Sequence, residues 1–244
     1  MQHALDNPTW YALIGPHAEL ANGHRLARQY PRDVAPFSAI AEASAAAYAD
    51  LAAGLPRGLE ARLFRPTDEP TPPGWQTISS RPIIQMVADA IEPPHDPSLG
   101  DFTVLGADDA NAMLELAEIA KPGPFGARTY LLGRYIGFRK CGGGFRKRGR
   151  GFRKCGRLLA MGGERFRLPG FAELSAIGVH PDARGRGLGA GITLHLARMA
   201  LARGDIPFLH VFADNPAVAL YQRLGFRERA RLWVIWRRPI ADLR

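Results

Sequence analysis

The chain has 244 residues, 46% of them apolar, which is enough for one large domain or two small ones with buried cores. It carries 32 basic and 23 acidic side chains, and a surplus of +9 ordinarily points to nucleic acid or an anionic membrane. Nine of the basic residues (Arg139, Lys140, Arg146, Lys147, Arg148, Arg150, Arg153, Lys154 and Arg157) fall between Gly137 and Arg157 with no acid among them, so the remainder is balanced at 23 against 23 and both partners are set aside.

Other classes fall away on similar grounds. The apolar run Leu232 to Trp236 is far shorter than the roughly twenty residues of a membrane-spanning helix. Met1 to Pro16 places Asp6, Asn7 and Pro8 where a secretory leader would need an apolar core, so a soluble cytoplasmic protein is expected. The two cysteines, Cys141 and Cys155, cannot build a disulfide framework, and no Cys/His quartet has zinc spacing, so no metal is expected.

Residues 1–98 read as a divergent N-terminal α/β region. Phe37 to Leu55 is Ala-rich and stops at Gly54-Leu55-Pro56, which predicts a helix. Ala61 to Phe64 and Trp75 to Ile78 read as short strands around the Pro66-to-Gly74 turn cluster, and Glu92 to Pro97 reads as a linker. Residues 99–244 then read as a second domain. Phe102 to Leu105 suits a strand, and Asp108 to Ile119 a helix capped by Asp108 or Asp109 and broken by Lys121-Pro122-Gly123-Pro124. Arg128 to Phe138 and Arg157 to Phe166 suit an antiparallel pair.

The basic insert at 137–157 sits in the turn of that hairpin. It is a tandem heptapeptide: Gly137-Phe-Arg-Lys-Cys-Gly-Gly, Gly144-Phe-Arg-Lys-Arg-Gly-Arg and Gly151-Phe-Arg-Lys-Cys-Gly-Arg. Two or three glycines per unit are incompatible with a coiled coil, and the unit is too short for a solenoid, so it reads as low-complexity loop. A nucleic-acid reading would use Phe138, Phe145 and Phe152 as stacking groups between arginines, but a tandem duplication in a surface turn accounts for the same pattern.

Phe171 to His180 reads as a strand whose apolar phase flips between Ala176 and Ile177, as a β-bulge would produce. Then comes Pro181-Asp-Ala-Arg184-Gly185-Arg186-Gly187-Leu188-Gly189-Ala190-Gly191, leading into a helix striped by Leu188, Ile192, Leu196 and Met199 and closed by Gly204. Glycines let backbone N–H groups converge at a helix start that is already partly positive, and Arg184 and Arg186 add full charge. The turn therefore suits a phosphate or pyrophosphate. Gly185-x-Gly187-x-x-Ala190 formally matches a dinucleotide fingerprint with Asp214 as ribose acid. However, Pro181 to Arg184 separate the glycines from the strand, and 30 residues after Asp214 are too few for a doubly wound sheet. After a second buried strand, Pro207 to Phe212, Asn215 suits an N-cap, Pro216 a first helical position and Gly225 an αL stop.

Arg184-x-x-Gly187-x-Gly189 behind a bulged strand, followed by Asn215 to Phe226, closely resembles the GNAT superfamily of acetyl-CoA-dependent N-acetyltransferases, over about Asp101 to Arg238. The resemblance implies an α+β fold with a central, mostly antiparallel mixed sheet splayed at two parallel strands, plus the smaller N-terminal α/β region. It implies acetyl-CoA as acyl donor and an amine as acceptor, the oligomeric state being left open. Arg184, Gly185, Arg186, Gly187, Leu188, Gly189 and Ala190 would bind the pyrophosphate. The main chain of Ile177, Gly178 and Val179 would hold the pantetheine arm and polarise the thioester carbonyl. Asn215 and Tyr221 would contact the cofactor. Tyr221 would protonate the departing thiolate, or else only brace its helix. Glu173 would serve as base, often through water, or else be an exposed strand carboxylate. Phe125 falls where the acceptor-lining loop of the family lies.

Overall fold

The eight-stranded sheet that organises the molecule draws strands from both halves of the chain. The computed structural model describes residues 3–23, 25–91, 102–140 and 156–240. In chain order its elements are α1 (Pro8–Leu13), β1 (Ala27–Gln29), β2 (Ser38–Ile40), α2 (Ala45–Gly54), β3 (Ala61–Arg65), β4 (Trp75–Val87), β5 (Thr103–Leu105), α3 (Ala110–Ala120), β6 (Tyr135–Arg139), β7 (Leu158–Leu168), β8 (Phe171–Val179), α4 (Leu188–Leu201), β9 (Ile206–Val211), α5 (Ala217–Arg223) and β10 (Arg227–Pro239). The strand order is β3-β10-β4-β9-β8-β7-β6-β5, and β1 and β2 form a separate small hairpin. Every neighbouring pair is antiparallel except β8 with β9, which agrees with the expected mostly antiparallel mixed sheet.

Four buried clusters make up the core of the described residues, and the two largest pack against the sheet. Phe37, Phe64, Phe166, Phe208 and Leu232 pack between the sheet and the N-terminal segments, and Ile192 and Leu196 of α4 pack on Leu209 and Phe226. Leu188, Ile192 and Leu196 are buried as the helical stripe requires, with Met199 half-buried at its end.

Several expected boundaries move. The division at residue 98 falls inside a single sheet, because β3 and β4 flank β10. Phe37 to Leu55 is a strand followed by a helix: Ser44 is the N-cap, its hydroxyl accepting from Ala47 N at 3.2 Å, and this starts α2 only at Ala45. The strand expected from Arg128 begins only at Tyr135. The Thr129 hydroxyl accepts from Gly126 N and donates to Val34 O, both at 2.7 Å, which holds Thr129–Leu132 in a 3-10 turn. β4 runs nine residues past Ile78, to Val87, through Pro82. That proline lies beyond the end of the β9 ladder, which spans only Ile84 to Val87, so its missing N–H costs that ladder nothing. The linker at 92–97 and the repeat units from Cys141 to Cys155 lie outside the described residues. Phe138 of the first unit is half-buried and packs against the core.

Candidate active site

The site begins where two parallel strands part. β8 and β9 pair at Phe171↔Ile206, Ala172↔Pro207 and Glu173↔Phe208, and the ladder ends there. Beyond it, β8 carries one extra residue opposite β7: the register passes from Gly163↔Ser175 to Met161↔Gly178, and Ala176 has φ of 54°. A bulge bends its strand, so the Ala176–Ile177 phase flip legible in sequence is the device that swings β8 away from β9.

A cavity of about 440 Å³ fills the fork. Leu174 to Ile177 of β8 form one wall and Val211 and Phe212 the other. Asn215 and Tyr221 close it from the α5 side, and Lys121 to Pro124 close it from the loop after α3. Its floor continues over the sheet, past Phe64 and Ile83 to Arg62 and Trp236.

Both glycine-bearing turns follow the strand ends that diverge. After β8, Pro181–Ala183 make a 3-10 turn, and Gly185 and Gly187 take φ of 75° and 73°. Gly187 caps α4 in the left-handed region, which a residue with a Cβ adopts only at a cost of roughly 1–2 kcal/mol. The first α4 hydrogen bond runs from Gly191 N to Gly187 O at 2.9 Å, so the N–H groups of Leu188, Gly189 and Ala190 have no intrahelical acceptor. Arg184 and Arg186 are exposed on the same turn. Anion-binding chemistry, a positive helix end beside two guanidiniums, is thus in place.

After β9, the Asn215 side chain accepts from Ala217 N at 2.9 Å, and α5 starts at Ala217, one residue later than an Asn215 cap predicts. Gly225, at φ of 93°, ends it as expected. Tyr221 faces the cavity while its ring meets Phe226 edge-on at 6.1 Å, and burial raises its phenol above the usual 10.

The expectations for β8 separate. Ile177 reaches the cavity wall, but Gly178 packs under α3, where a Cβ would come within 3.1 Å of Ala120, and Val179 is outside the wall. Phe125 also misses the cavity. It turns back onto Tyr135, edge-on at 5.8 Å, and leaves Lys121 to Pro124 as the lining part of its loop.

Glu173 needs the largest correction. It is neither an exposed strand carboxylate nor placed to take a proton in the cavity, because its side chain is fully buried behind the wall. Arg165 grips it with Nε at 2.9 Å and Nη2 at 2.5 Å, and His210 Nδ1 lies at 2.6 Å. Burial alone would raise its pKa; Arg165 and then His210 outweigh burial and hold it at about 2. A carboxylate of that acidity is a poor base at neutral pH. Burial pushes His210 below its ordinary value against the pull of Glu173. Neutral His210 donates from Nδ1 to Glu173, and Nε2 accepts from Gln85 Nε2 at 3.0 Å. Since Glu173 is the last residue of β8 paired with β9 and His210 lies just past the last pair on β9, their hydrogen bond ties the two strands at the point of divergence. Arg165, in turn, lies over the rings of Phe37, Phe64 and Phe166 at 4.8, 5.4 and 4.9 Å.

Sequence reasoning alone misses Arg165 and His210. The signal it offers is weak: a single histidine inside the buried strand Pro207 to Phe212, opposite an acid on a neighbouring apolar strand. Among the described residues, no cluster of three His, Cys, Asp or Glu side chains is placed to hold a metal, and no helix is long and apolar enough to cross a membrane.

Known proteins share this fold. A solved structure of an acetyltransferase from the GNAT family of Novosphingobium aromaticivorans is 34% identical, over 98% of this chain and 99% of that one, with a TM-score of 0.82. The chain belongs to the GNAT family. A GCN5-related N-acetyltransferase from Kribbella flavida, at 18% identity and a TM-score of 0.62 over 93% of each chain, shares the fold. The FR47-like protein family model matches residues 150–234, the part of this GNAT chain that holds the bulged strand, the glycine turn and α5. Mycothiol acetyltransferase of Corynebacterium aurimucosum is 48% identical over 60 residues, which are 24% of this chain and 20% of that protein. The chain thus matches only about a fifth of the length of that curated relative.

Proposed function

We propose that the chain transfers the acetyl group of acetyl-CoA to a primary amine by direct attack, without a covalent enzyme intermediate. The observation that carries this reading is the coincidence, at one end of the fork, of the β8 bulge, the glycine turn with free helix N–H groups, and the start of α5. Bound acetyl-CoA would supply the activated thioester. The N–H groups from Arg184 to Ala190, with the Arg184 and Arg186 side chains, would hold its pyrophosphate. The bulged backbone at Ile177, the residue of the expected Ile177–Val179 stretch that reaches the cavity, would offer its N–H to the arm or to the carbonyl that gains negative charge, and Asn215 would contact the cofactor from the head of α5. The amine nitrogen bonds to the acetyl carbon as the C–S bond breaks. The amine would lose one proton to solvent water, the Tyr221 hydroxyl, a phenol held protonated by burial, would give one to sulfur, and solvent would return a proton to the Tyr221 phenolate. Glu173 serves as a positioning residue: with Arg165 and His210 it fixes how far β8 and β9 separate.

The reading is tested by following thiol release from acetyl-CoA against amines, amino acids and peptides, with amide product identified by mass. Release that depends on an amine is expected; absence of turnover with every acceptor class would remove the assignment. Gly187→Val should weaken acetyl-CoA binding at least about tenfold, because a β-branched residue is disfavoured at positive φ and would shift the turn. An unchanged Kd by calorimetry would remove the turn from the binding site.

A further inference from the structure

The cavity extends well beyond the fork, and its far end has an electrostatic character of its own. Three cationic side chains line the cavity as a whole, Arg62, Lys121 and Arg165, and no carboxylate does among the described residues; of the three, Arg62 is the one at the far end. Arg165 is already neutralised by Glu173. Arg62 is not matched in this way. Its nearest acid is Glu60, at 4.0 Å, the outer limit of an ion pair. Burial opposes its charge most, and nearby Arg32 opposes it further. Its Nε is buried without a hydrogen-bond partner. The guanidinium lies 4.0 Å from the centre of the Trp236 ring, its partner across the β3–β10 ladder. Stacking on an aromatic fixes the plane of the fork and, with Nε buried, leaves the terminal Nη groups to meet a planar, two-oxygen acceptor.

Arg62 is also far from where the thioester would lie. β3 is three strands from β9 in the sheet, a separation of roughly 14 Å at ordinary strand spacing. Between them Phe64, Val234, Ile83 and Phe212 offer apolar surface, and the two polar groups beside them, Arg165 and His210, are both tied to Glu173. Resting on the acetyl-transfer reading, we infer that the acceptor is an amine bearing a remote carboxylate, joined to it by an apolar stem, with the carboxylate seated on Arg62 and the stem over Phe64 and Val234. An α-amino acid, whose two groups flank one carbon, is too short to reach both places.

The test compares kcat/KM for a graded series of ω-amino carboxylates, n-alkylamines of matching length, ω-aminoalkyl phosphates and glycine, with acetyl-CoA binding measured separately by calorimetry. The longer amino carboxylates should exceed their alkylamine counterparts by about 10- to 100-fold, the range of a charge-assisted hydrogen bond. Arg62→Gln should erase that advantage through KM and leave the acetyl-CoA Kd unchanged, and Arg62→Lys should restore part of it. Equal use of alkylamines, a preference for glycine or for the phosphates, or an Arg62→Gln enzyme that keeps the advantage would each overturn the inference while leaving acetyl transfer intact. The wild-type comparison decides the matter even if Arg62→Gln fails to fold. Loss of acetyl-CoA binding, or no turnover with any amine, would overturn the acetyl-transfer reading instead.

Discussion

Arg165→Met should destabilise the protein by about 3–5 kcal/mol at neutral pH, a fall of roughly 6–20 °C in Tm for a chain of this size. The expected size follows from what is left behind: a fully buried Glu173 carboxylate whose remaining partner is a neutral His210. The pH dependence separates this cause from a simple loss of packing. In the wild type the Glu173 pKa is depressed to about 2 from an ordinary 4.5, so its contribution is present above pH 4.5 and is lost as pH falls from 4.5 through 2. Without Arg165 the dominant influence is burial, which raises the pKa, so the ionised carboxylate becomes a liability that acid relieves. Urea denaturation near pH 7 and near pH 4 should therefore show the gap between the two proteins narrowing on acidification. A gap of constant size would mean that the Arg165 stem and its three aromatic contacts, rather than the ion pair, hold the fork.

Tyr221→Phe should lower kcat by about 100-fold or more, within the range of general acid catalysis, while the acetyl-CoA Kd stays within twofold. The substitution keeps the ring that meets Phe226 edge-on and removes only the hydroxyl, so the helix brace survives and the proposed proton donor does not. A rate unchanged in single-turnover measurements would leave Tyr221 as a brace alone.

The part of the site that lies on contiguous residues is legible in the sequence: the bulge at Ala176–Ile177, the glycine turn, the α5 start and its Gly225 stop are each set by local backbone chemistry. Sequence places Glu173 on the right strand with the wrong role, because its environment is supplied by Arg165 and His210, eight residues before it and 37 after it. Local pattern cannot report such a partner. The extent of β4 is hidden for a related reason: Ser79-Ser80-Arg81-Pro82 looks like a strand end, and only the short β9 ladder explains why a proline is tolerated there. The division expected near residue 98 fails because composition changes along the chain while hydrogen bonding across it does not. Phe125, whose expected role rests on its place in a loop, is drawn off by Tyr135.

The position of β10 also bears on the order of events during synthesis. It lies between β3 and β4 in the sheet, yet its pairing partners in β3 precede it by roughly 170 residues, so this ladder closes one of the longest loops in the chain. On the ribosome, β3 and β4 emerge early and must wait with open edges until residue 239 is free. Unpaired edges of that kind are the usual route to strand exchange between neighbouring nascent chains. The wall that carries Arg62 and Trp236 is thus the last part of the cavity to close.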